Sequence, residues 1–187
     1  MSLIAEFQKK VKHSHQLRIT NHGDGSDEEL VNISSYSGVV EYYPEELVLT
    51  VKAGTVIKEI NKELAKNNQA FPFFIGNPEQ TIGSLYATSG AELSDSVLGV
   101  QIVNGKGELL NFGGQVMKNV AGYDVSRLLV GSMGKLAIIT QISFKILPGK
   151  AAQKFQQEAP IKNKENSLRL IYEAKLKKVF DPYGVFI

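Results

Sequence analysis

The residues best suited to chemistry lie in a glycine-rich run, residues 113–134, which also contains Lys118 and Asp124. A segment with so much glycine lets the backbone pass close to a ligand, and a lysine there can neutralise a phosphate. The run leads into the strand-like residues 135–147, and a glycine-rich loop beside a sheet often builds a phosphate or cofactor site. A tight structural loop accounts for the same residues, and the spacing alone does not decide between the two.

Two shorter segments carry similar chemistry. Gly23, Gly25 and Ser26 lie in a turn after a short strand, and such a turn can point successive backbone N–H groups at a pyrophosphate. Thr81 is placed to cap a short helix, whose first N–H groups attract anions. A plain surface turn and an ordinary helix cap remain the alternatives.

Composition excludes several other classes. The net charge of +2 is too small to indicate a nucleic-acid partner, and the lack of cysteine excludes disulfides, iron–sulfur clusters and thiol catalysis. The histidines at 13, 15 and 22 have no accompanying pattern of metal ligands. Because no stretch approaches about 18 uninterrupted apolar residues and the N-terminus is charged, we expect no membrane-spanning helix, no signal peptide and a cytoplasmic location.

Hydrophobic periodicity predicts an α+β fold. Strands are expected over residues 17–20, 30–33, 47–52, 97–103, 108–112 and 135–147, and helices over 3–12, after Thr55, after Thr81 and over 167–180. Asn104-Gly105 predicts a tight hairpin turn. On the long strand, Leu136, Ile138, Thr140, Ile142, Phe144 and Ile146 are expected to share one buried face. On the last helix, Leu168, Ile171, Tyr172, Leu176, Val179 and Phe180 form one apolar side.

Several of these segments, in this order, resemble one flavoprotein family. The segments are residues 38–54, 97–113, 118–124 and 128–134, and the resemblance covers most of residues 17–148. Together they resemble the FAD-binding subunit of bacterial glycolate oxidase, which belongs to the PCMH-type FAD-binding proteins related to vanillyl-alcohol oxidase. The resemblance implies FAD held between a small α/β lobe, about residues 1–70, and a mainly antiparallel lobe with helices, about 71–148. Residues 149–187 then form a connection and a C-terminal helix.

The resemblance also implies which residues contact FAD, and it implies neither a catalytic residue nor a metal ligand. The FAD contacts are expected at Gly23, Gly25, Ser26, Thr81, Ile82, Gly83, Ser84, Lys118, Gly122, Gly131, Ser132 and Gly134. Tyr123 and Asp124 are interpreted as structural, since aspartate often stabilises a turn by accepting backbone N–H bonds.

Some positions depart from the family pattern. His22 and Asp24 stand where the family has further glycines, the loop over residues 88–96 is shorter, and Ala137 replaces a glycine. Residues 180–186 resemble the C-terminal signature of the family, so the cap domain that normally precedes it is expected to be absent.

These features predict an FAD-binding subunit of a glycolate-oxidase-like complex that takes part in flavin-mediated electron transfer. Its expected partners are a substrate-site flavoprotein and an iron–sulfur subunit, or a second copy of the chain. Through such partners it would lie peripheral to the inner membrane. The alternative is a flavin-free structural or regulatory subunit, which the departures at residues 22–26, 88–96 and 137 favour.

Overall fold

The computed structural model describes residues 2–21, 27, 29–114, 125–157 and 167–187, without the side chains of 167–170. Its helices are α1 (Leu3–His13), α2 (Ile57–Ala65), α3 (Ile82–Thr88), α4 (Ala91–Ser94), α5 (Val125–Leu128), α6 (Gly149–Gln156) and α7 (Ser167–Phe180). Its strands are β1 (Arg18–Thr20), β2 (Leu30–Asn32), β3 (Val39–Tyr43), β4 (Val48–Lys52), β5 (Gln69–Ala70), β6 (Val97–Asn104), β7 (Leu109–Gly113), β8 (Ala137–Lys145) and β9 (Leu147–Pro148).

A five-stranded antiparallel sheet, here called the large sheet, organises the core in the order β3-β4-β8-β6-β7. The apolar stripe of α2, formed by Ile57, Ile60 and Leu64, is completely buried. Nearby, the rings of Phe71 and Phe144 meet edge to face at 5.3 Å. Helices with a mainly antiparallel sheet confirm the α+β class. Because strands from both sides of residue 70 share the large sheet, the domain boundaries at 70 and 148 stay predictions.

A second, small sheet is parallel and uses both ends of the sequence. β1 pairs with β2, and on its other side Leu17 forms a parallel bridge with Phe186. The Leu17 N–H donates to the Val185 carbonyl at 2.7 Å, and the Ile187 N–H donates to the Leu17 carbonyl at 3.1 Å. Residues 185–187 therefore act as a third strand of the small sheet.

The buried carboxylate of Asp181 holds this third strand in place. Its two oxygens accept the N–H groups of Val185 and Phe186, both at 2.8 Å, and the Lys177 ammonium at 2.6 Å. Gly105 lies against it so closely that an added Cβ would stand 2.1 Å from Asp181 Oδ1. The Gly105 N–H also donates to the Phe180 carbonyl at 2.8 Å. The Asp181 cluster thus joins α7, the small sheet and the β6–β7 turn.

One sequence-based expectation about local structure is wrong. Thr55 does not cap α2, because the N-cap is Val56 and the Thr55 hydroxyl donates instead to the Lys52 carbonyl at 2.7 Å.

The tight hairpin turn expected at Asn104-Gly105 is confirmed. The Gly107 N–H donates to the Asn104 carbonyl at 2.9 Å, and Asn104 Oδ1 accepts the N–H groups of Lys106 and Glu108 at 3.0 and 2.9 Å. These bonds close a short loop between β6 and β7.

A bulge interrupts β8 at Thr140. Gln101 pairs with Gln141, but Ile102 pairs with Ile139, so Thr140 is an extra residue without a partner in the ladder. Its hydroxyl donates to the Gln101 carbonyl at 3.0 Å. Since side chains alternate along a strand, the extra residue reverses the phase. The single apolar face expected from Leu136 to Ile146 is therefore divided between the two faces of the large sheet.

Replacing Asp181 with alanine should strongly destabilise the fold. The side chain is fully buried, and its loss leaves the N–H groups of Val185 and Phe186 without their acceptor and removes the counter-charge of the Lys177 ammonium. We expect the free energy of unfolding to fall by about 3–5 kcal/mol in chemical denaturation followed by circular dichroism. The control is Glu63→Ala, which breaks an exposed pair with Lys66 and should cost less than about 1 kcal/mol. Equal effects of the two variants would contradict the role given to Asp181.

Candidate functional site

A cavity of about 200 Å³ lies where the small sheet meets α3 and β8. One wall comes from β1 and β2, one from α3, and one from the segment that enters β8. The lining residues are Ile19, Thr20, Asn21, Ile33, Ala53, Thr81, Gly83, Ser84, Ala87, Thr88, Met133, Ala137 and Ile139. The cavity therefore sits between the two sheets, where side chains from distant parts of the sequence converge.

The first turn of α3 is fixed to the end of β4. Thr81 caps the helix as predicted, its hydroxyl accepting the Ser84 N–H at 3.2 Å. The Gly83 N–H donates to the Ala53 carbonyl at 2.8 Å, and an added Cβ at Gly83 would stand 2.8 Å from both Cβ and O of Ala53. Gly83 is thus required for the close approach of α3 to the β4 end, which sets the position of the cavity wall.

The wall opposite the small sheet depends on a strained turn before β8. Met133 has a left-handed backbone conformation (φ 55°), although it is not glycine, and its side chain is 60% exposed at the cavity. Its N–H donates to the Ala87 carbonyl at 2.9 Å, and the Gly131 N–H donates to the Tyr86 carbonyl at 3.0 Å. These bonds tie the turn to α3, so the two walls are built as one unit.

The chemistry of the described wall suits an uncharged ring and a phosphate group together. Apolar side chains, such as Ile19 and Ile139, can pack against a ring, and the Ser84 hydroxyl can donate to a phosphate oxygen. No acidic side chain lines the described wall, so nothing there repels an anion. The volume lies below the roughly 300–1,000 Å³ of typical ligand pockets, so the cavity takes only part of a molecule as large as FAD.

A second cavity, of about 410 Å³, adjoins the first between α4, α5 and α7. Neighbouring residues line the two cavities: Thr88 and Met133 line the first, while Ser89 and Ser132 line the second. The Ser132 hydroxyl is buried and has no hydrogen-bond partner among the described residues. An unpaired buried hydroxyl is costly, so this position favours a bound polar group.

The structure brings together only some of the residues predicted to contact FAD. Thr81, Gly83 and Ser84 line the first cavity, and Gly131 and Ser132 line the second. Ile82 is fully buried in the core and lines neither. Gly134 lies beside the first cavity, where an added Cβ would stand 3.6 Å from Ile19 Cβ, but its φ of 74° favours glycine. The remaining positions fall outside the described residues: Gly23, Gly25, Ser26, Lys118 and Gly122.

Other lining residues were not predicted, although a signal for two of them was present. Ala87 and Thr88 follow Gly83 and Ser84 by four residues, and positions four apart share one face of a helix. Ile33 and Ile139 reach the cavity only through the sheet pairings, which no local pattern reveals. Ala137 lines the first cavity, and the expectation that its methyl group narrows a close backbone approach stays a prediction.

The α+β fold, with its mainly antiparallel large sheet, agrees with a PCMH-type cofactor-binding domain, the class to which the matching sequence profile belongs. The sequence profile described as "FAD binding domain" matches residues 14–113, just over half of the chain. The chain therefore belongs to the FAD binding domain family, whose cofactor is FAD.

Several curated proteins are similar to this chain. It is 41% identical over 128 residues to glycolate oxidase subunit GlcE of Escherichia coli strain K12, which covers 63% of the chain and 37% of that protein. It is 29% identical to glycolate oxidase subunit GlcD of Bacillus subtilis strain 168 over 59% of the chain and 25% of that protein. It is 31% identical to a D-lactate dehydrogenase of Archaeoglobus fulgidus over 51% of the chain and 24% of that protein. The chain spans little more than a third of these relatives at most.

Two further classes of site are absent from the part of the chain that the structure describes. No helix there is long and apolar enough to cross a membrane. No group of three or more His, Asp or Glu side chains there is arranged to hold a metal ion.

Filling the first cavity should prevent FAD binding without unfolding the protein. Ala87 is half-buried on α3 and lines the cavity, so Ala87→Leu adds apolar volume where we expect part of the cofactor. We expect at least a tenfold loss of FAD affinity, measured by flavin fluorescence titration, with the melting temperature retained. Ala65→Leu makes the same change at an exposed position of α2 and serves as the control. Unchanged FAD affinity in Ala87→Leu would remove this cavity from the site.

Met133 should show opposite effects on stability and binding. Met133→Gly relieves a left-handed conformation that costs about 1–2 kcal/mol, so we expect a higher melting temperature. The same change removes a side chain from the cavity wall, so FAD affinity should fall. Met133→Leu keeps both the strain and most of the volume, and it should leave both quantities near their original values. A parallel change in stability and affinity would contradict this account.

Proposed function

We propose that the chain is the FAD-holding subunit of a flavin-dependent oxidoreductase that acts on 2-hydroxy acids. One observation carries the proposal: a cavity with an apolar and hydroxyl-bearing wall lies between the small sheet and the large sheet of a chain that belongs to the FAD binding domain family. The substrate class follows from the relatives, which are named glycolate oxidase subunits and D-lactate dehydrogenases.

The residues of the described wall hold and orient the cofactor. Gly83 sets the approach of α3, Ile19 and Ile139 give apolar contact, and Ser84 offers a hydroxyl donor to the phosphates. The other FAD contacts expected from the sequence, apart from the fully buried Ile82, complete this proposal, including the five that fall outside the described residues. FAD, when bound, supplies the two-electron acceptor that oxidation of an alcohol requires.

The described wall supplies no group for the proton step. Oxidation of a hydroxyl group to a carbonyl requires a base within hydrogen-bond reach of the hydroxyl proton. The side chains that line the first cavity are apolar, hydroxyl-bearing or amide, and none of them titrates near neutral pH. We therefore place the substrate step on groups outside this wall and give the described residues a role in cofactor binding and electron transfer.

The names of the relatives support a multi-subunit complex. Two of the similar proteins are called subunits, and this chain spans only part of each. We propose that a substrate-site flavoprotein and an iron–sulfur subunit exchange electrons with the flavin of this chain.

The test is the visible spectrum of the purified chain after addition of FAD and removal of the excess. We expect a retained flavin band that dithionite bleaches and that an artificial electron acceptor restores. Added glycolate or D-lactate should leave the band unbleached in the chain alone, because the described wall has no base. The Ala87→Leu variant, which should retain no band, is the control.

Two results would contradict the proposal in different ways. Rapid bleaching by glycolate or D-lactate alone would show that the chain itself completes the substrate site. A folded chain that refuses FAD would favour the flavin-free structural or regulatory subunit, for which the methyl group of Ala137 in the cavity wall is the specific observation.

A further inference from the structure

Helix α7 leaves an apolar row uncovered by the described residues. The row, here called the α7 ridge, consists of Ile171, Lys175 and Val179, spaced by four residues, with Tyr172 beside it. Ile171, Tyr172 and Val179 are 52%, 61% and 66% exposed. These are large values for apolar side chains grouped along one side of a helix, and such a grouping favours an interaction site.

The domain holds α7 mainly by its C-terminal end. Phe180 is buried, with its ring 6.0 Å from that of Phe112, and Lys177 donates to the Lys135 carbonyl at 2.7 Å. Leu176 and Tyr172 line the second cavity, while the α7 ridge faces away from the packed side. The anchored end fixes the direction of the helix, so the ridge is presented in a defined orientation.

The charge in the middle of the ridge decides what can cover it. The Lys175 ammonium lies 5.6 Å from the centre of the Tyr172 ring and has no ion pair among the described residues. Lys178 is exposed next to it. An occupant that buried the apolar side chains would also desolvate Lys175, which is costly unless an opposite charge faces it.

This requirement separates three occupants. A second copy packed across a two-fold axis at the centre of the ridge would place Lys175 against its own counterpart, which is repulsive. A lipid bilayer would have to accept an ammonium in the centre of a short apolar row with only three apolar side chains. A helix from another protein can place a carboxylate opposite Lys175 and apolar side chains on either side.

We propose that the α7 ridge docks an amphipathic helix of a different subunit, with a Glu or Asp facing Lys175 and apolar side chains facing Ile171 and Val179. This deepens the proposed function, since it rests on the chain working within a multi-subunit complex. Two helices packed side by side contact each other through residues spaced three or four apart. The partner helix should therefore carry one carboxylate with apolar residues three or four positions away on both sides.

Carbodiimide cross-linking tests the contact at the level of single residues. This reagent condenses a lysine amine with a carboxylate into an amide, so it links Lys175 only to a touching Glu or Asp. The full chain, tagged and expressed in its own cells, is cross-linked in the lysate, and linked peptides are identified by mass spectrometry. We expect Lys175 joined to an acidic residue of another protein, with apolar residues three or four positions away on both sides.

Matched variants separate the contact from chance capture. Lys175→Arg keeps the charge but offers no reactive amine, so the cross-link should fall at least tenfold while the partner still copurifies. Ile171→Glu combined with Val179→Glu should abolish both the cross-link and the copurification of the partner. Lys62→Arg, at an exposed lysine of α2, should change neither. The Ala87→Leu variant should still cross-link, so failure of FAD binding and failure of docking are distinguished.

Three results would overturn the inference. A cross-link between copies of the chain, detected by mixing isotope-labelled and unlabelled protein, would identify a homodimer. Flotation with vesicles of phosphatidylcholine and phosphatidylglycerol that is lost in the Ile171→Glu, Val179→Glu variant would identify a membrane surface. Absence of any link from Lys175 to another protein, while the chain still copurifies with its complex, would place the interface elsewhere.

Discussion

The fold depends on one buried carboxylate. Asp181 accepts two backbone N–H groups and one ammonium, and it touches the turn between β6 and β7. A buried charge is tolerable only when its hydrogen bonds are complete, so these partners must all be in place together. This cluster binds the last helix and the small sheet to the large sheet. Because the first cavity lies between those two sheets, the same cluster indirectly holds the cavity walls in register.

The walls of the first cavity are held together by close contacts and hydrogen bonds between backbone segments rather than by charged side chains. Gly83 lets α3 reach the end of β4, and the strained turn at Met133 is hydrogen-bonded back to α3. The bulge at Thr140 changes the phase of β8, so Ile139 and Ala137 point into the cavity although the strand as a whole reads as a single alternation. A rigid wall of small and apolar residues suits a subunit that holds a cofactor while other groups supply proton transfer.

Helices and strands with strong hydrophobic periodicity are predictable from the sequence. Features in which a single extra residue shifts the pairing register of two strands are not. The cap at Thr81 and the paired strands β6 and β7 follow from local patterns. Thr55 does not cap α2, because its hydroxyl donates to the Lys52 carbonyl instead. The bulge at Thr140 depends on pairing with a strand some forty residues earlier, which local propensity cannot encode. The apolar side of α7 reads as core-facing, yet Ile171 and Val179 are exposed, because periodicity does not tell whether a partner lies in the same chain.

The bridge between Leu17 and Phe186 has a consequence for the order of folding. These residues are far apart in the sequence, so their contact closes a long loop and adds to the contact order of the fold. On the ribosome, the strands of the large sheet emerge well before residues 185–187, and the small sheet cannot gain its third strand until those residues leave the exit tunnel. The wall that carries Ile19 and Thr20 is therefore completed only after residues 185–187 have been synthesised, and we expect stable loading of the cofactor to follow that step.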